Sequence, residues 1–204
     1  MALPVRVSDN GGNYRYPPRR PRRNNTILAI IIVIVALFMS GIPTKLYNDI
    51  TVYRHEKIKN YLDQREQYFG SSDIQFKQML NKVYQIKSSN ITQAMPDIQQ
   101  AKILILNNYQ GVNKLKPPRA FQDLHTETLQ WFIQLNSAVE YLEKAAISNS
   151  YNPNTFNIYM NEIIVTLSNI QPNLIQGLQK EKLEYQINAD GSLVYWLKKN
   201  YYSE

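Results

Sequence analysis

Residues 117–147 read PPRAFQDLHTETLQWFIQLNSAVEYLEKAAI, and this stretch decides the fold class. Its apolar residues recur at alternating intervals of three and four, which places them on one face of an α-helix. They are Phe121, Leu124, Thr128, Trp131, Leu135, Ala138, Leu142 and Ala145, widened by Phe132 and Val139. A proline suits the first turn of a helix, where its missing N–H costs nothing. The sequence therefore predicts a helix that begins near Pro118 and ends near Ser148-Asn149-Ser150.

A second stripe with the same spacing lies downstream. Its members are Phe156, Met160, Ile163, Leu167, Ile170, Leu174 and Gly177. Asn154 or Thr155 is expected to cap this helix, since both residue types accept hydrogen bonds from free N–H groups. Pro172 lies inside the stripe and is expected to kink or divide the helix. The short connection between the two helices predicts that they pack antiparallel.

Three more helical segments are predicted upstream. One covers residues 44–69, a second follows a cap at Ser71 or Ser72, and a third lies between Pro96 and Gly111. Their apolar positions are Ile50, Tyr53, Ile58, Leu62 and Phe69, then Phe76, Met79, Leu80, Val83 and Ile86, then Ile98, Ala101, Ile105, Tyr109 and Val112. Residues 44–185 thus supply about five helices and no convincing strand. The predicted fold is all-α: an antiparallel helical bundle that buries these stripes against one another.

Residues 186–204 differ from the bundle. Asn188-Ala189-Asp190-Gly191-Ser192 is a turn signal, and Leu193-Val194-Tyr195-Trp196-Leu197 follows it. This segment is expected to pack aromatic side chains onto the bundle. A short helix and an extended strip are both compatible with it, and the helix is the favoured interpretation.

An uncharged run precedes the bundle. It extends from Thr26 to Ile42, and Pro43 and Thr44 can lengthen it at an interface. A bilayer core requires roughly 17–25 apolar residues in a helix. The run predicts a single transmembrane helix over 26–43. A buried core helix is disfavoured because no face is polar. A cleaved signal peptide is the stronger alternative, but Met39-Ser40-Gly41 is a poor cleavage site, which favours an uncleaved anchor.

The basic charge of the protein lies in its first 25 residues. The net charge is +7, and residues 1–25 hold six arginines and one acid, whereas residues 26–204 hold 17 basic and 15 acidic residues. Arg19, Arg20, Arg22 and Arg23 flank the apolar run, and cationic flanks stay in the cytoplasm. The expected topology is a plasma-membrane protein with residues 1–25 as a disordered cytoplasmic tail and 44–185 as an extracytoplasmic bundle. The tail is expected to attract anionic lipid, with docking to a cytoplasmic partner as the alternative.

Composition excludes several functional classes. The chain has no cysteine, which removes disulfides, thiol nucleophiles and cysteine-ligated metals. The near-neutral body argues against nucleic-acid binding, which requires clustered cations. His55-Glu56 lacks the second histidine of a zinc-protease motif, because Lys59 occupies that place. No cofactor, no metal and no enzymatic activity are therefore expected.

The residues that stand out as ligand or partner contacts are His125, Trp131, Tyr195 and Trp196. His125 follows the Leu124 core position and can lie in a pocket, or it can bond a neighbouring group on the flank of its helix. The aromatic cluster Tyr195, Trp196, Tyr201 and Tyr202 can bind a partner or cap the core.

The stretch Leu115-Lys116-Pro117-Pro118-Arg119-Ala120-Phe121-Gln122-Asp123-Leu124-His125 resembles an element of uncharacterised bacterial membrane-anchored or secreted helical domains. In that element a Pro-Pro pair opens a long helix and a histidine follows about two turns later. The resemblance covers some 30 residues. It implies a bacterial envelope protein of helical fold and carries no activity.

Together these patterns predict a single-pass, non-enzymatic envelope protein whose bundle engages another protein or an envelope component. A ligand-binding or sensory ectodomain that works with a membrane partner is the alternative. The expected partners are the lipid bilayer and a protein; the sequence does not indicate an oligomeric state. A sensor predicts a polar cavity between helices near His125 or near the Pro172 kink. A docking protein predicts an exposed aromatic patch that includes Tyr195 and Trp196.

Overall fold

A computed structural model describes residues 25–86 and 88–197. Within these residues the helices are α1 (Asn25–Met39), α2 (Ile42–Gln85), α3 (Met95–Lys114), α4 (Gln122–Ser148) and α5 (Pro153–Lys180), and the strands are β1 (Tyr185–Ile187) and β2 (Leu193–Tyr195). Short 3₁₀ segments cover Ser88–Ala94 and Arg119–Phe121. The predicted disordered tail with Arg19, Arg20, Arg22 and Arg23, and the aromatic pair Tyr201 and Tyr202, lie outside the described residues.

The chain divides into two compact units, Met1–Tyr47 and Asn48–Glu204. In the first unit, α1 is shorter than the helix predicted over 26–43. It ends at Met39 because Gly41 adopts a left-handed conformation with φ of 71°, which interrupts the helix before α2 begins. No helix among the described residues combines the length and the apolar character needed to cross a bilayer.

In the second unit, the prediction of separate helices on either side of Ser71 and Ser72 is wrong, because α2 continues through both serines to Gln85. Neither serine caps a helix. Both hydroxyl groups accept hydrogen bonds from Asn108 Nδ2, at 2.8 and 2.9 Å, and Ser72 is fully buried. The polar pair therefore joins α2 to α3, which leaves the backbone of α2 free to continue.

The contacts between helices give an up-down-up-down bundle. α3 and α4 are antiparallel: Lys102 of α3 pairs with Glu143 of α4, whereas the later Tyr109 packs against the earlier Phe132. α4 and α5 are also antiparallel: Tyr141 stacks on Phe156, whereas the earlier Gln134 accepts a hydrogen bond from the later Thr166. The predicted antiparallel packing of α4 and α5 is confirmed. Contacts between α2 and α4 run in parallel, because α3 lies between them in the chain.

The predicted stripe from Phe121 to Ala145 is confirmed in full, since every member is at most 3% exposed. The prediction for α5 holds with one exception. Thr166 is buried in place of Leu167, which is 42% exposed. The Thr166 hydroxyl donates to Gln134 Oε1, so the helix faces α4 with a polar group at this level. α4 itself begins at Gln122, because Pro118 precedes a 3₁₀ turn rather than the first α-helical turn.

The cap of α5 differs from the predicted one. Asn152 caps the helix, and its Oδ1 accepts from the backbone N–H groups of Asn154 and Thr155 at 2.9 and 3.4 Å. Pro153 occupies the first helical position, which moves the cap one residue before it. Pro172 lies inside α5, and the helix is assigned as continuous across it.

The favoured helix at the C-terminal segment is wrong, because the chain forms an antiparallel hairpin. Tyr185 pairs with Tyr195, and Ile187 pairs with Leu193. The predicted turn is present: Gly191 has φ of 81°, and the Asn188 N–H donates to the Ser192 carbonyl at 2.8 Å. It connects two antiparallel strands instead of leading into a helix. Leu193, Tyr195 and Leu197 of this segment, and Tyr185 of the paired strand, are partly buried against the hydrophobic core.

Candidate functional site

A buried arginine lies where α2 meets α4. The Arg65 side chain is 4% exposed, and its Nε donates to Thr128 Oγ1 at 2.9 Å. Nη1 donates to Glu66 Oε2 at 3.1 Å, but the Glu66 side chain is 66% exposed. The guanidinium carbon lies 4.8 Å from the centre of the Phe69 ring. Arg65 thus carries a positive charge inside the bundle, and among the described residues its ion-pair partner is a well-solvated carboxylate.

Several buried polar atoms around Arg65 have no protein partner among the described residues. They are Nη2 of Arg65 itself, Oη of Tyr61, Nδ1 of His125 and Nε1 of Trp131. Tyr61 precedes Arg65 by one helical turn, and its ring centre lies 6.0 Å from that of His125. Trp131 packs on Phe69, with ring centres 4.2 Å apart. A buried polar atom without a partner loses its bond to water and gains nothing in return, so such a cluster calls for an explanation.

The pKa values of the cluster follow from burial and from the charge of Arg65. Burial raises the pKa of the Tyr61 phenol to about 12, although the Arg65 charge opposes the rise. Burial, followed by the Arg65 charge, lowers the pKa of His125. Burial also lowers the pKa of Arg65, against the charges of Glu66 and Tyr61. At neutral pH the cluster therefore holds a guanidinium, a protonated phenol and a neutral imidazole.

An open groove lies beside the cluster, with a volume of about 410 Å³. One wall is α2, which contributes Lys57, Asn60, Tyr61 and Gln64; the other is the segment Leu115, Lys116, Pro117 and Pro118. The second wall is extended, because Leu115 and Pro118 have ψ near 145°. Tyr61 belongs to both features, since it lines the groove and carries one of the unpaired atoms of the cluster.

The structure places the sequence-predicted contact residues in three environments. His125 lies in the cluster with Tyr61 and Arg65. Trp131 is 1% exposed, so its ring packs in the core. Tyr195 is half-buried on the inner face of the hairpin, and burial raises its pKa, as do the nearby carboxylates of Asp63 and Glu66.

Trp196 belongs to the opposite, outward face of the hairpin. It is 51% exposed, and Val194 beside it is 43% exposed. The Trp196 N–H donates to the Glu184 carbonyl at 3.0 Å, which continues the pairing of the two strands by one residue. The outward face therefore presents one aromatic and one aliphatic side chain on a backbone that is held in place.

The sequence interpretation missed Arg65 and Tyr61. The signal was present, because Ile58, Leu62, Arg65 and Phe69 are spaced four, three and four residues apart, and Tyr61 lies three residues after Ile58 and four before Arg65. A charged residue at that spacing lies on the buried face of α2 rather than on the solvated one.

The described residues contain no group of three or more histidine and acidic side chains that could hold a metal ion. The chemistry of the cluster is instead that of hydrogen-bond donors, which suits a ligand with acceptor oxygens. Comparison with known proteins finds no match to the sequence among family models or curated proteins, and no match to the structure among solved structures.

Proposed function

We propose that the protein is a single-pass, membrane-anchored, non-enzymatic binding module that presents its helical bundle outside the cytoplasm. The observation that carries the anchoring proposal is the surface of α1. Six consecutive apolar residues, Ile30, Ile31, Ile32, Val33, Ile34 and Val35, are each 47–59% exposed. Six consecutive residues cover every direction around a helix. At these positions the side chains of α1 are therefore exposed in every direction around the helix.

Exposure on all sides favours lipid as the surroundings of α1. The transfer of apolar surface out of water is favourable by a free energy of about 25 cal/mol per Å². α1 has 15 residues and is about 22 Å long, which is less than a bilayer core of about 30 Å. The uncharged run continues to Ile42, and a bilayer adapts to a short span by thinning. We therefore assign 26–43 as the membrane segment, with the arginines on its cytoplasmic side.

The proposed role of the bundle is to bind an envelope component or a protein. Its described hydrophobic core is formed by buried residues between Ile58 and Leu183. The outward face of the hairpin, with Val194 and Trp196, supports this role, because an exposed tryptophan on a fixed backbone is a favourable contact residue. The paired backbone of the two strands holds these side chains in position.

Membrane attachment is tested by extraction. In one experiment, isolated membranes that contain the full-length protein are washed with alkaline carbonate. In a separate experiment, protease is added to intact cells. The proposal predicts that the wild-type protein stays in the membrane pellet and that the bundle is digested from outside. The double variant Ile32→Arg/Ile34→Arg should be released, because each arginine in the middle of the span costs about 2.5–3.5 kcal/mol.

The matched control is Ile158→Arg/Ile164→Arg, which places the same charges at exposed positions of α5. This control should remain in the pellet. Release of the wild-type protein by carbonate, or protection of the bundle in intact cells, would contradict the proposal. Photo-crosslinking from position 196 in intact cells, with position 103 of α3 as the control surface, tests the hairpin contact separately.

A ligand-binding ectodomain is the second candidate, and the Arg65 cluster favours it. Buried polar atoms without partners lower the stability of a protein. A module that only docks does not require a buried cation with unpaired donors beside an open groove, whereas a ligand-binding module can use them. The two candidates are compatible, because the hairpin face and the groove use different residues.

A further inference from the structure

We propose that the Arg65 cluster is a binding site for the carboxylate of a small organic acid that enters through the groove between α2 and the Leu115–Pro118 segment. The inference deepens the ligand-binding candidate and does not depend on membrane attachment. It rests on three features of the described residues: the unpaired donors, the local charge and the position of Tyr61.

The unpaired donors match a carboxylate. Arg65 uses Nε for Thr128 and one N–H of Nη1 for Glu66, so Nη2 is its nitrogen without a partner. The Tyr61 phenol is a second unpaired group, and it stays protonated at neutral pH. Nη2 and the Tyr61 hydroxyl can each donate to one oxygen of a carboxylate. Thr128 Oγ1 donates to the Leu124 carbonyl while it accepts from Arg65, so its hydrogen is already used.

The local charge also favours an anion. Lys57 and Lys116 line the groove, and neither forms an ion pair among the described residues. Glu66 is the acid nearest to Arg65, and it is mostly in water. Asp63 lies on the same helix and is exposed. A buried guanidinium is strongly stabilised by an anion that shares its low-dielectric surroundings, whereas a solvated carboxylate is screened.

One buried positive charge matches a monoanion better than a dianion. A carboxylate brings one charge, which Arg65 neutralises. A phosphate brings up to two charges and a third oxygen, for which the cluster offers no further cation. Two other unpaired groups belong to the cluster: His125 is neutral at pH 7 and can accept or donate one bond through Nδ1, and Trp131 Nε1 is a neutral donor.

The Tyr61 side chain must move to admit the ligand. It is 4% exposed and lines the groove, while its Oη and Arg65 Nη2 are both buried. A ligand that reaches these atoms from the groove must turn the Tyr61 side chain. Binding should therefore change the NMR signals of the Tyr61 ring and of the adjacent His125 ring, whose centre lies 6.0 Å away.

The test is an NMR titration of the full-length protein in detergent solution at pH 7.5. Potassium acetate is the probe, and potassium chloride keeps the ionic strength constant. The proposal predicts saturable shifts of the Tyr61 and His125 ring signals. Tyr61→Phe should weaken acetate binding by about threefold to tenfold, as expected for one lost hydrogen bond. Arg65→Gln should abolish it.

The matched control is Tyr109→Phe, which removes a phenol that belongs neither to the cluster nor to the lining of the groove and should leave acetate binding unchanged. Equal shifts with acetate and chloride overturn the proposal, as does unchanged affinity in Tyr61→Phe or tighter binding of phosphate than of acetate. If Arg65→Gln does not fold, Tyr61→Phe decides the question alone. Carbonate extraction of the membrane is a separate measurement, so either proposal can fail without the other.

Discussion

Gly177 of α5 lies directly against the ring of Phe121, which precedes α4. A Cβ atom at Gly177 would come within 2.5 Å of Phe121 Cδ1 and 2.6 Å of Cε1. Both residues are buried, so the ring has no open space into which it can retreat. A glycine fits here because the backbone of α5 approaches the Phe121 ring closely. This contact joins the end of α5 to the 3₁₀ turn that precedes α4.

Gly177→Ala should therefore destabilise the bundle. Overpacking of a filled core costs about 1–3 kcal/mol. Gly70→Ala is the control, because a Cβ there meets only Glu66 Oε1, at 3.9 Å, and alanine in a helix interior is more stable than glycine by about 0.5–1 kcal/mol. Urea unfolding should show opposite signs for the two variants. Equal effects would mean that the contact with Phe121 does not limit position 177.

The cap of α5 gives a second prediction. Asn152→Ala should lower the free energy of unfolding by about 0.5–2 kcal/mol, because two backbone N–H groups lose their acceptor. Thr155→Ala should have a smaller effect, since this residue supplies a backbone N–H that alanine retains. Thermal unfolding followed by circular dichroism compares the two. A larger loss in Thr155→Ala would place the cap at the position that the sequence pattern favoured.

The bond between Arg65 and Thr128 gives a third prediction. Thr128→Val keeps the shape of the side chain but removes the oxygen that Arg65 Nε uses. A hydrogen bond to a charged group contributes about 1.5–3 kcal/mol, and a loss of that size is expected in urea unfolding. Thr126→Val is the control, because Thr126 is exposed and bonds only the Gln122 carbonyl of its own helix. A loss below about 0.5 kcal/mol in Thr128→Val would show that Arg65 finds another acceptor.

The fourth prediction concerns pH. The pKa of His125 is lowered in the folded protein, so the unfolded chain takes up a proton first, near pH 6.5, as the pH falls. The stabilising effect of the neutral imidazole is complete above pH 6.5 and decreases as the pH falls below that value. The free energy of unfolding of the wild type, relative to that of His125→Gln, should therefore decrease as the pH falls from 8 to 5.

The matched control for this pH dependence is His55→Gln, which should retain the contribution of His125. An NMR titration of the His125 ring provides a direct measurement. A midpoint above pH 6.5 for His125 would contradict the assigned direction of its shift, and with it the placement of His125 next to a buried positive charge.

Much of the fold was predictable from spacing. The stripe from Phe121 to Ala145 repeats with the helical period, and burial of that face is the only stable arrangement in water, so the prediction held at every position. The prediction failed where a residue has two uses. Ser71 and Ser72 can cap a helix or bond a neighbouring helix, and only the presence of Asn108 on α3 decided between them. Leu167 and Thr166 are adjacent, and the amide of Gln134 on α4 selected the threonine.

The hairpin and the Arg65 cluster show the same limit. Leu193 to Leu197 is too short for its period to distinguish a helix from a strand, so the pairing with Tyr185 to Ile187 settled its conformation. The sequence alone determined an all-α bundle, an apolar N-terminal run and a basic tail, because these follow from local composition and periodicity. Tertiary structure decided which polar side chains are buried and which of them lack partners, because hydrogen bonds and desolvation depend on neighbours that are distant in the chain.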